Sequence, residues 1–329
     1  MKTKKQNPPK GGTLTEEQIE WLNKCTTGTW KLNPRTGLVD VDGSFDCSEQ
    51  GLSDFKGVRF RVVERNFSCA HNRLTSLVGS PREVGGSFSC DDNQLTSLVG
   101  APREVGWSFY CDDNQLTSLV GAPREVEGGF CCWSNRLTSL EGAPREVRLD
   151  FYCDNNQLTS LVGAPEKVGR RFDCSHNLLT SLEGAPRKVG GSFYCQENLL
   201  TSLEGAPEKV GGNFYCRNNR LTSLEGAPRE VGGSFSCEGN LLTSLEGAPR
   251  EVRGSFDCDD NPVPERTLKS IFSRMKGGES YLKAVESLWT EIPVDDQSLL
   301  YRPEFKWIGA EEVKKLQAVG RFNKIKGIL

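Results

Sequence analysis

The sequence has few histidines, no long apolar run and no large excess of either charge. Its 329 residues include 41 Lys and Arg against 44 Asp and Glu, which gives a formal net charge of -3 at pH 7. A nearly neutral chain gives no reason to expect a general nucleic-acid-binding protein. No stretch approaches the roughly 20 apolar residues that a membrane-spanning helix requires. The basic residues within positions 1–12 are not followed by an apolar segment, so we do not expect a secretory signal there.

Sequence signatures of enzymes are also missing. The chain contains no P-loop, no G-x-G-x-x-G and no His-Glu-x-x-His motif. Its two histidines, His71 and His176, are five repeats apart, and at a strand spacing of about 4.8 Å they would be about 24 Å from each other. Cys131 is expected to be exposed but about 10 Å from His176, too far for a nucleophile and its base. We therefore predict a non-enzymatic protein without a cofactor or a metal site.

A repeat fills most of the chain. The pattern V-x-x-x-F-x-C-x-x-N-x-L-T-S-L-x-G-A-P-x-x recurs with a period of 21 residues after a first interval of 22. A fixed period of this length indicates a solenoid, in which each coil packs only on its neighbours. The anchoring phenylalanines of the repeat are Phe45, Phe67, Phe88, Phe109, Phe130, Phe151, Phe172, Phe193, Phe214, Phe235 and Phe256.

Each coil is expected to have an inward and an outward side. Phe and Cys alternate at period two, which predicts a short strand with both side chains facing inward. The two leucines that follow are expected to return to the core, and Gly-Ala-Pro to bend the chain. The Asn carries both donors and an acceptor, so we predict that it satisfies backbone groups of its own and the adjacent coil. These asparagines are Asn72, Asn93, Asn114, Asn135, Asn156, Asn177, Asn198, Asn219, Asn240 and Asn261.

The thirteen cysteines follow the same repeat. Eleven of them stand two residues after an anchoring phenylalanine. A buried free Cys behaves as a small apolar residue. Stacked coils would bring the thiols close together, but parallel side chains are badly oriented for disulfide bonds. We therefore predict reduced core thiols rather than a ladder of cystines, and with them a reducing, cytoplasmic compartment.

The repeat resembles the leucine-rich repeat, L-x-x-L-x-L-x-x-N-x-L, with Phe and Cys in two of the apolar positions. It is most similar to the short repeats of bacterial effector proteins and of phage and bacterial reading frames that carry Leu-Thr-Ser-Leu-x-Gly-Ala-Pro. The resemblance covers residues 41–261. It implies a right-handed α/β solenoid of short parallel strands and a protein-binding function. It also suggests a phage or bacterial factor that binds and inhibits a host defence protein, which is an analogy at the level of the fold.

The two ends depart from the repeat. Thr15 and Gln18 have the spacing of a capping box, which predicts a helix from Thr15 with Ile19 and Leu22 on one face. Two extended segments joined by Asn-Pro-Arg-Thr-Gly follow. Amphipathic patterns near the C-terminus predict further helices at 265–276, 280–290 and 310–319. The predicted organisation is a flexible tail at 1–12, a helix-hairpin cap at 13–42, a solenoid of about eleven coils at 43–261 and a helical C-terminal cap at 262–329.

The residue between Phe and Cys should point outward, and it varies from coil to coil. Tyr, Trp and Arg carry most of the binding energy of protein interfaces, and they are frequent at and beside this position. We therefore predict a protein-binding surface on the concave face, with an acidic N-terminal shoulder; neutral drift among similar repeats is the alternative. The predicted partner-binding residues are Trp107, Tyr110, Trp133, Tyr152, Arg171, Tyr194, Tyr215, Arg217, Asp91, Asp112 and Asp113.

Two other functions stay open. Val78, Val99 and Val120 are expected to align along one edge, where they would form an apolar stripe for homo-oligomers or simply be incidentally exposed. Most later coils have Glu at this position. A basic segment at 314–326 would support nucleic-acid contact, although clustered lysines are more commonly a solvated helix face.

Overall fold

The chain folds into stacks of short parallel strands. The computed structural model describes residues 13–243, 245, 247–258 and 260–262. They belong to two compact units that divide between Asp150 and Phe151. Each unit is a parallel β-solenoid, which confirms the predicted fold class. The predicted tail at 1–12 and the helices predicted at 265–276, 280–290 and 310–319 lie outside the described residues.

The first unit begins with a helix, α1, at Glu16–Cys25. The predicted capping box is present, because the Thr15 side chain accepts from the Gln18 backbone N–H and the Gln18 side chain accepts from that of Thr15. The buried face of α1 consists of Trp21, Leu22 and Cys25. Ile19 is 38% exposed, so the prediction that it shares this face is wrong. At about 100° per residue, Ile19 lies roughly 110° from the centre of the buried stripe.

A hairpin connects the helix to the first coil. Strand β1 (Thr26–Leu32) pairs antiparallel with β2 (Val39–Asp46). The Asn33 side chain accepts hydrogen bonds from two backbone N–H groups of the intervening turn. Strand β2 runs through the predicted boundary at 42/43 and carries Phe45, the first anchoring phenylalanine. The hairpin therefore continues into the solenoid and provides the template for its first parallel pairs.

The first unit contains two rows of parallel strands after the hairpin. In chain order they are β3 (Phe60–Val63), β4 (Phe67–Ser68), β5 (Glu83–Val84), β6 (Phe88–Ser89), β7 (Glu104–Val105), β8 (Phe109–Tyr110), β9 (Phe130–Cys131) and β10 (Glu146–Val147). The Phe strands stack in the order β2, β4, β6, β8, β9, and β3, β5 and β7 form the other row. Strand β2 joins both rows, because Val39–Val41 pairs with β3 and Phe45 with Phe67 of β4.

The second unit repeats this arrangement without a hairpin among its described residues. Its strands are β11 (Phe151–Tyr152), β12 (Lys167–Val168), β13 (Phe172–Asp173), β14 (Lys188–Val189), β15 (Phe193–Tyr194), β16 (Lys209–Val210), β17 (Phe214–Tyr215), β18 (Glu230–Val231), β19 (Phe235–Ser236), β20 (Glu251–Val252) and β21 (Phe256–Asp257). The Phe strands pair in parallel with Phe opposite Phe, as at Phe172 and Phe193. The strands that end in Val form the second row.

The core of each unit is built from the residues that the repeat holds constant. The anchoring phenylalanines, the cysteines two residues later and the paired leucines are buried throughout the described coils. Neighbouring rings stack at centroid distances such as 5.3 Å between Phe88 and Phe109, and 5.3 Å between Phe193 and Phe214. Burial of one such phenylalanine side chain stabilises the folded state by about 1.5–3 kcal/mol. The inward direction of Phe and Cys is therefore confirmed.

The asparagine ladder is also confirmed. Asn93 donates from Nδ2 to the carbonyls of Cys69, Cys90 and Asp91, and its Oδ1 accepts from the Leu74 backbone N–H at 2.9 Å. Asn198 does the same in the second unit, where its Oδ1 accepts from the Leu179 N–H at 3.0 Å. Each side chain thus satisfies backbone groups of two successive coils, as an amide with donors and an acceptor can.

The strands that end in Val differ from the sequence prediction, which places one strand in each coil. Apart from the four-residue β3 they are two residues long, too short for period two to be read, and most lie between a proline turn and a glycine. The glycine is required sterically: a Cβ atom on Gly85 would lie 2.2 Å from the Glu64 carbonyl oxygen of the previous coil. One coil after Gly106, Glu127 occupies the equivalent position. In that coil the parallel pairing of the second strand row is reduced to an isolated bridge at Val126.

All thirteen cysteines lie among the described residues and carry free, buried thiols. In several coils the Sγ atom donates a hydrogen bond to a carbonyl of the next coil, as Cys90 does to Tyr110 at 3.3 Å. Burial raises the pKa of the Cys69 and Cys90 thiols well above the usual value. Since the thiolate is the reactive form, these cysteines are packing residues rather than nucleophiles.

Candidate functional site

The outward surface of the Phe strands is the candidate site. Three positions of each coil form most of it: the residue between Phe and Cys, and the two residues after Cys. Trp107 and Arg171 join it from the two positions before Phe. We call this surface the strand face and describe it separately in each unit. Parallel register places equivalent positions of successive coils beside each other, as it does Ser89, Tyr110 and Cys131.

The last of the three positions has an unusual backbone conformation. It adopts a positive φ in the described coils, for example 49° at Asp92, 48° at Asp113 and 54° at Asn218. Asn, Asp and His tolerate this left-handed region better than other non-glycine residues. The requirement of the turn before the ladder Asn therefore favours short polar side chains on the strand face.

In the first unit, the strand face combines aromatic side chains with carboxylates. Trp107 is 51% exposed and Tyr110 is 36% exposed. Trp133 is half-buried. Among the predicted acidic residues, Asp91 and Asp113 are half-buried, whereas Asp112 is 9% exposed and is the most buried of the three. The structure thus brings the predicted first-unit residues to neighbouring coils, with Asp112 less accessible than expected.

His71 lies beside this acidic group. Its Nδ1 is 2.7 Å from an Asp92 carboxylate oxygen and its Nε2 is 3.8 Å from one of Asp91. The hydrogen bond to Asp92 and the charges of Asp91, Asp92 and Glu49 raise the pKa of His71, against a smaller opposing effect of desolvation. Ser89 also donates a hydrogen bond to Asp91. The sequence prediction does not include His71 or Asp92 in the site, although both fall in the repeat phase of Asp113.

In the second unit, the strand face is organised around Arg171. Its guanidinium carbon is 5.2 Å from the ring centre of Tyr152 and 4.1 Å from that of Tyr194. One terminal nitrogen donates to Asp173 Oδ2 at 2.8 Å. The Asp173 side chain is 6% exposed, and that of Arg171 is 40% exposed. Arg171 is therefore held between two aromatic rings and fixed by a buried carboxylate.

The Asp173 carboxylate has further partners that fix the cluster. Its Oδ1 accepts from the Ser175 backbone N–H at 3.1 Å and from the Ser175 hydroxyl at 2.6 Å. The nearby Asp154 carboxyl has a raised pKa, first because of desolvation and second because of the charge on Asp173. The predicted orientation of Asp173 toward the strand face agrees with these contacts, but Arg171 covers the carboxylate and removes it from solvent.

Two more predicted residues continue this surface. The rings of Tyr194 and Tyr215 are tilted toward each other with centroids 5.1 Å apart. The guanidinium carbon of Arg217 is 5.8 Å from the centre of the Tyr215 ring. The structure thus unites Tyr152, Arg171, Tyr194, Tyr215 and Arg217, all five second-unit residues predicted for partner binding. We call these five residues the arginine–tyrosine cluster.

One expectation for the strand face is wrong. Cys131 occupies an outward position between Tyr110 and the following coil, and the sequence suggests that it is exposed. In the structure it is 8% exposed. The Cys131 side chain is small, and Tyr110 of the previous coil lies beside it in register. Cys131 therefore offers no accessible nucleophile.

A different surface carries the predicted valine edge. Val78, Val99 and Val120 in the first unit are 69%, 64% and 55% exposed. Val99 also borders an open groove of about 1250 Å³ whose floor includes Gly85 and Gly106. The corresponding groove of the second unit is about 510 Å³ and is lined by Lys188 and Lys209. The edge is apolar and accessible in the first unit, as expected.

The described coils provide neither a metal centre nor a membrane-spanning helix. No group of three or more His, Cys, Asp or Glu side chains in that part of the chain is arranged to hold a metal ion. Over the same residues, no helix has the length and apolar composition needed to cross a bilayer.

The described coils thus form a parallel β-solenoid, and part of its strand face is open to solvent. Among solved structures, the chain is similar to YopM from Yersinia enterocolitica WA-314, with 20% identity, a TM-score of 0.45 and coverage of 62% of this chain and 50% of that chain. It is also similar to YopM, a leucine-rich effector protein from Yersinia pestis, with 20% identity, a TM-score of 0.47 and coverage of 67% of each chain. The chain therefore spans half the length of the first of these proteins. Comparison with protein-family models and with curated proteins gave no match.

Proposed function

We propose that the protein binds a partner protein reversibly through its strand face. The observation that carries this proposal is the arginine–tyrosine cluster of the second unit. Arg171 is stacked between Tyr152 and Tyr194 and tied to the buried Asp173 carboxylate. Tyrosine and arginine are the residue types enriched at the energetic centres of interfaces. No catalytic step is part of this function.

The cluster is suited to binding because its side chains are already ordered. Immobilising a flexible side chain on association costs about 0.5–1.5 kcal/mol. Arg171 makes its stacking and ion-pair contacts within the protein, so this cost is largely met on folding. A structural role alone would not require the aromatic faces of Tyr194 and Tyr215 to extend outward over two further coils. The cluster therefore supports a surface prepared for a partner.

The nature of the partner is a finer proposal. The Leu-Thr-Ser-Leu-x-Gly-Ala-Pro repeats resemble those of bacterial effectors and phage reading frames, so we propose a host protein, such as a defence protein that is held inactive. This step is an analogy at the level of the fold. Free buried thiols in every described coil are compatible with a reducing, cytoplasmic setting.

Capture of a partner from host-cell lysate tests the proposal. The variant Tyr152→Ala with Tyr194→Ala removes both rings that hold Arg171, and we expect it to lose the captured protein. The control is Glu183→Ala with Glu204→Ala, two exposed residues of the same unit outside the strand face. Circular dichroism shows whether the variants fold. Equal capture by the double tyrosine variant and the intact protein would contradict a role for the cluster.

A second candidate function is self-assembly through the valine edge, favoured by the exposure of Val78, Val99 and Val120. An apolar stripe of this kind can mark an association surface. The variant Val99→Glu with Val120→Glu introduces the residue that later coils have at this position, so the fold should tolerate it. Light scattering that shows a homo-oligomer dissociated by this variant would support self-assembly. A monomeric intact protein would exclude it.

A further inference from the structure

The strand face of the first unit combines carboxylates with exposed aromatic rings. Its three outward positions per coil are 46, 48 and 49; 68, 70 and 71; 89, 91 and 92; 110, 112 and 113; and 131, 133 and 134. These positions contain neither Lys nor Arg, although Arg65 stands close by, two residues before Phe67, at the repeat position that Trp107 occupies two coils later. Their only basic side chain is His71. Carboxylates dominate this surface, and they are Asp46, Glu49, Asp91, Asp92, Asp112 and Asp113.

Aromatic side chains on the same coils give this surface an apolar component. Tyr110 and Trp133 occupy outward positions of consecutive coils, and Trp107 stands three residues before Tyr110. Trp107 and Tyr110 are among the few large apolar or aromatic side chains with exposures of 36% or more. Asp92, Trp107 and Tyr110 are exposed. Exposed aromatic residues within a polar rim are typical of a protein-docking surface.

The parallel register concentrates the negative charge. The backbone N–H of Asp92 donates to the Asp112 carbonyl at 3.1 Å, which fixes the two coils beside each other. Equivalent residues of adjacent coils are separated by about 4.8 Å, so Asp91 neighbours Asp112, and Asp92 neighbours Asp113. Like charges at this separation repel each other. His71 is the cationic side chain within 4.0 Å of Asp91 and Asp92 among the described residues.

The charge selects the kind of partner that fits. A cationic side chain offsets the repulsion between the carboxylates and can also lie against an aromatic ring, which contributes about 0.5–1 kcal/mol at an exposed site. Nucleic acid and a second copy of this face both carry negative charge and are disfavoured. An acidic or neutral segment of a protein would leave the carboxylates without compensation.

We propose that the strand face of the first unit docks a basic segment of a partner protein, with Lys or Arg side chains placed between the carboxylates of Asp91, Asp92 and Asp113 and the ring of Tyr110. This inference rests on the proposed protein-binding function and specifies the chemistry of the partner at one of the two units. The arginine–tyrosine cluster is not required for it.

Binding of a simple probe tests the proposal. The probe is a fluorescein-labelled peptide of alternating arginine and glycine, with a peptide of alternating glutamate and glycine for comparison, and the readout is anisotropy with the full chain. We expect the basic peptide alone to bind, and its affinity to fall as salt is raised. Absence of binding at low ionic strength would overturn the proposal.

Two variants locate the binding. Asp92→Asn with Asp113→Asn should weaken binding about tenfold, since two charge contacts together contribute on the order of 1.4 kcal/mol. Asn is present at the same position in other coils, at Asn155 and Asn218, so the fold should be kept. Tyr110→Ser should also weaken binding, and Ser occupies the equivalent position at Ser68 and Ser89.

The matched control is Glu104→Gln with Glu125→Gln, which removes the same charge from the other strand row of the first unit. We expect this control to bind the basic peptide nearly as well as the intact protein. An equal loss in both charge variants would show a general electrostatic effect and overturn the proposal. Lysate capture that persists while the basic peptide fails to bind would leave the proposed function standing and reject only this inference.

Discussion

The two units have the same interior but present different strand faces. Both stack Phe on Phe, bury the following Cys and close each turn with a ladder Asn. In the first unit, Asp91 and Asp92 have His71 as their cationic neighbour. In the second unit, Arg171 covers Asp173 and stacks on two tyrosines. A repeat scaffold therefore lets outward residues diversify without a change in the core: the Asp91 and Asp92 carboxylates remain partly accessible beside His71, whereas the Asp173 carboxylate is buried under Arg171.

The largest predicted effect tests whether the two interiors are equivalent. Asn93→Ala and Asn198→Ala should each lower the free energy of unfolding by about 1–3 kcal/mol, because each strands buried backbone groups of two coils. Urea unfolding followed by circular dichroism measures the loss. A substantial loss in one unit with none in the other would break the comparison. Substitution of the exposed Gln94, next to Asn93, by Ala is the control.

The next effect concerns the Arg171–Asp173 pair of the second unit. Arg171→Ala should destabilise the protein by about 1–2 kcal/mol, less than for a fully buried pair because the Arg171 side chain is 40% exposed. The loss arises because Asp173 stays buried without its cation. Adding Asp173→Ser, the residue found at Ser89 and Ser236, should restore part of the stability. Additive losses in the double variant would show that the two residues are not coupled.

The smallest effect concerns His71 on the strand face of the first unit and depends on pH. The pKa of His71 is raised in the folded protein, so the stabilisation by its ion pairs is complete below the unfolded value of about 6.5 and is lost as pH rises through the folded pKa. His71→Asn should therefore lower stability below about pH 6.5 and have no effect at high pH. The difference is expected to be about 0.5 kcal/mol or less, because the pair is exposed.

The urea midpoint measured across this pH range checks the prediction for His71. His176→Asn is the control, since His176 stands at the same repeat position and makes no ion pair among the described residues. The same pH dependence in both variants would exclude the carboxylates around His71 as its cause.

Residues that recur in phase were predicted well, and residues that act through long side chains were not. The directions of Phe, Cys, Leu and Asn follow from period and spacing alone, because every coil repeats them. The second strand row was missed because Glu104–Val105 and its equivalents are too short for periodicity to appear. The sequence places Tyr152 and Tyr194 two coils apart with Arg171 between them, but the rotamer that stacks Arg171 on both depends on tertiary contacts.

Small shifts in packing explain the remaining differences. Ile19 was expected on the buried face of α1, yet Trp21 and Cys25 centre that face on the other side of Leu22. Cys131 lies at an outward position, but it is a small side chain and is buried in its row. The sequence alone indicates on which side of a strand or helix such a residue lies. Its accessibility depends on the neighbouring side chains.

Thiol reactivity tests the inward direction of Phe and Cys most directly, and both strand faces depend on that direction. The native full chain should react slowly with a thiol reagent, because its thirteen cysteines are buried. After unfolding, all thirteen thiols should react. Gln94→Cys, at an exposed position next to the ladder Asn93, should add one rapidly reacting thiol. Rapid labelling of several native cysteines, or fewer reactive thiols after unfolding without a reductant, would contradict the account.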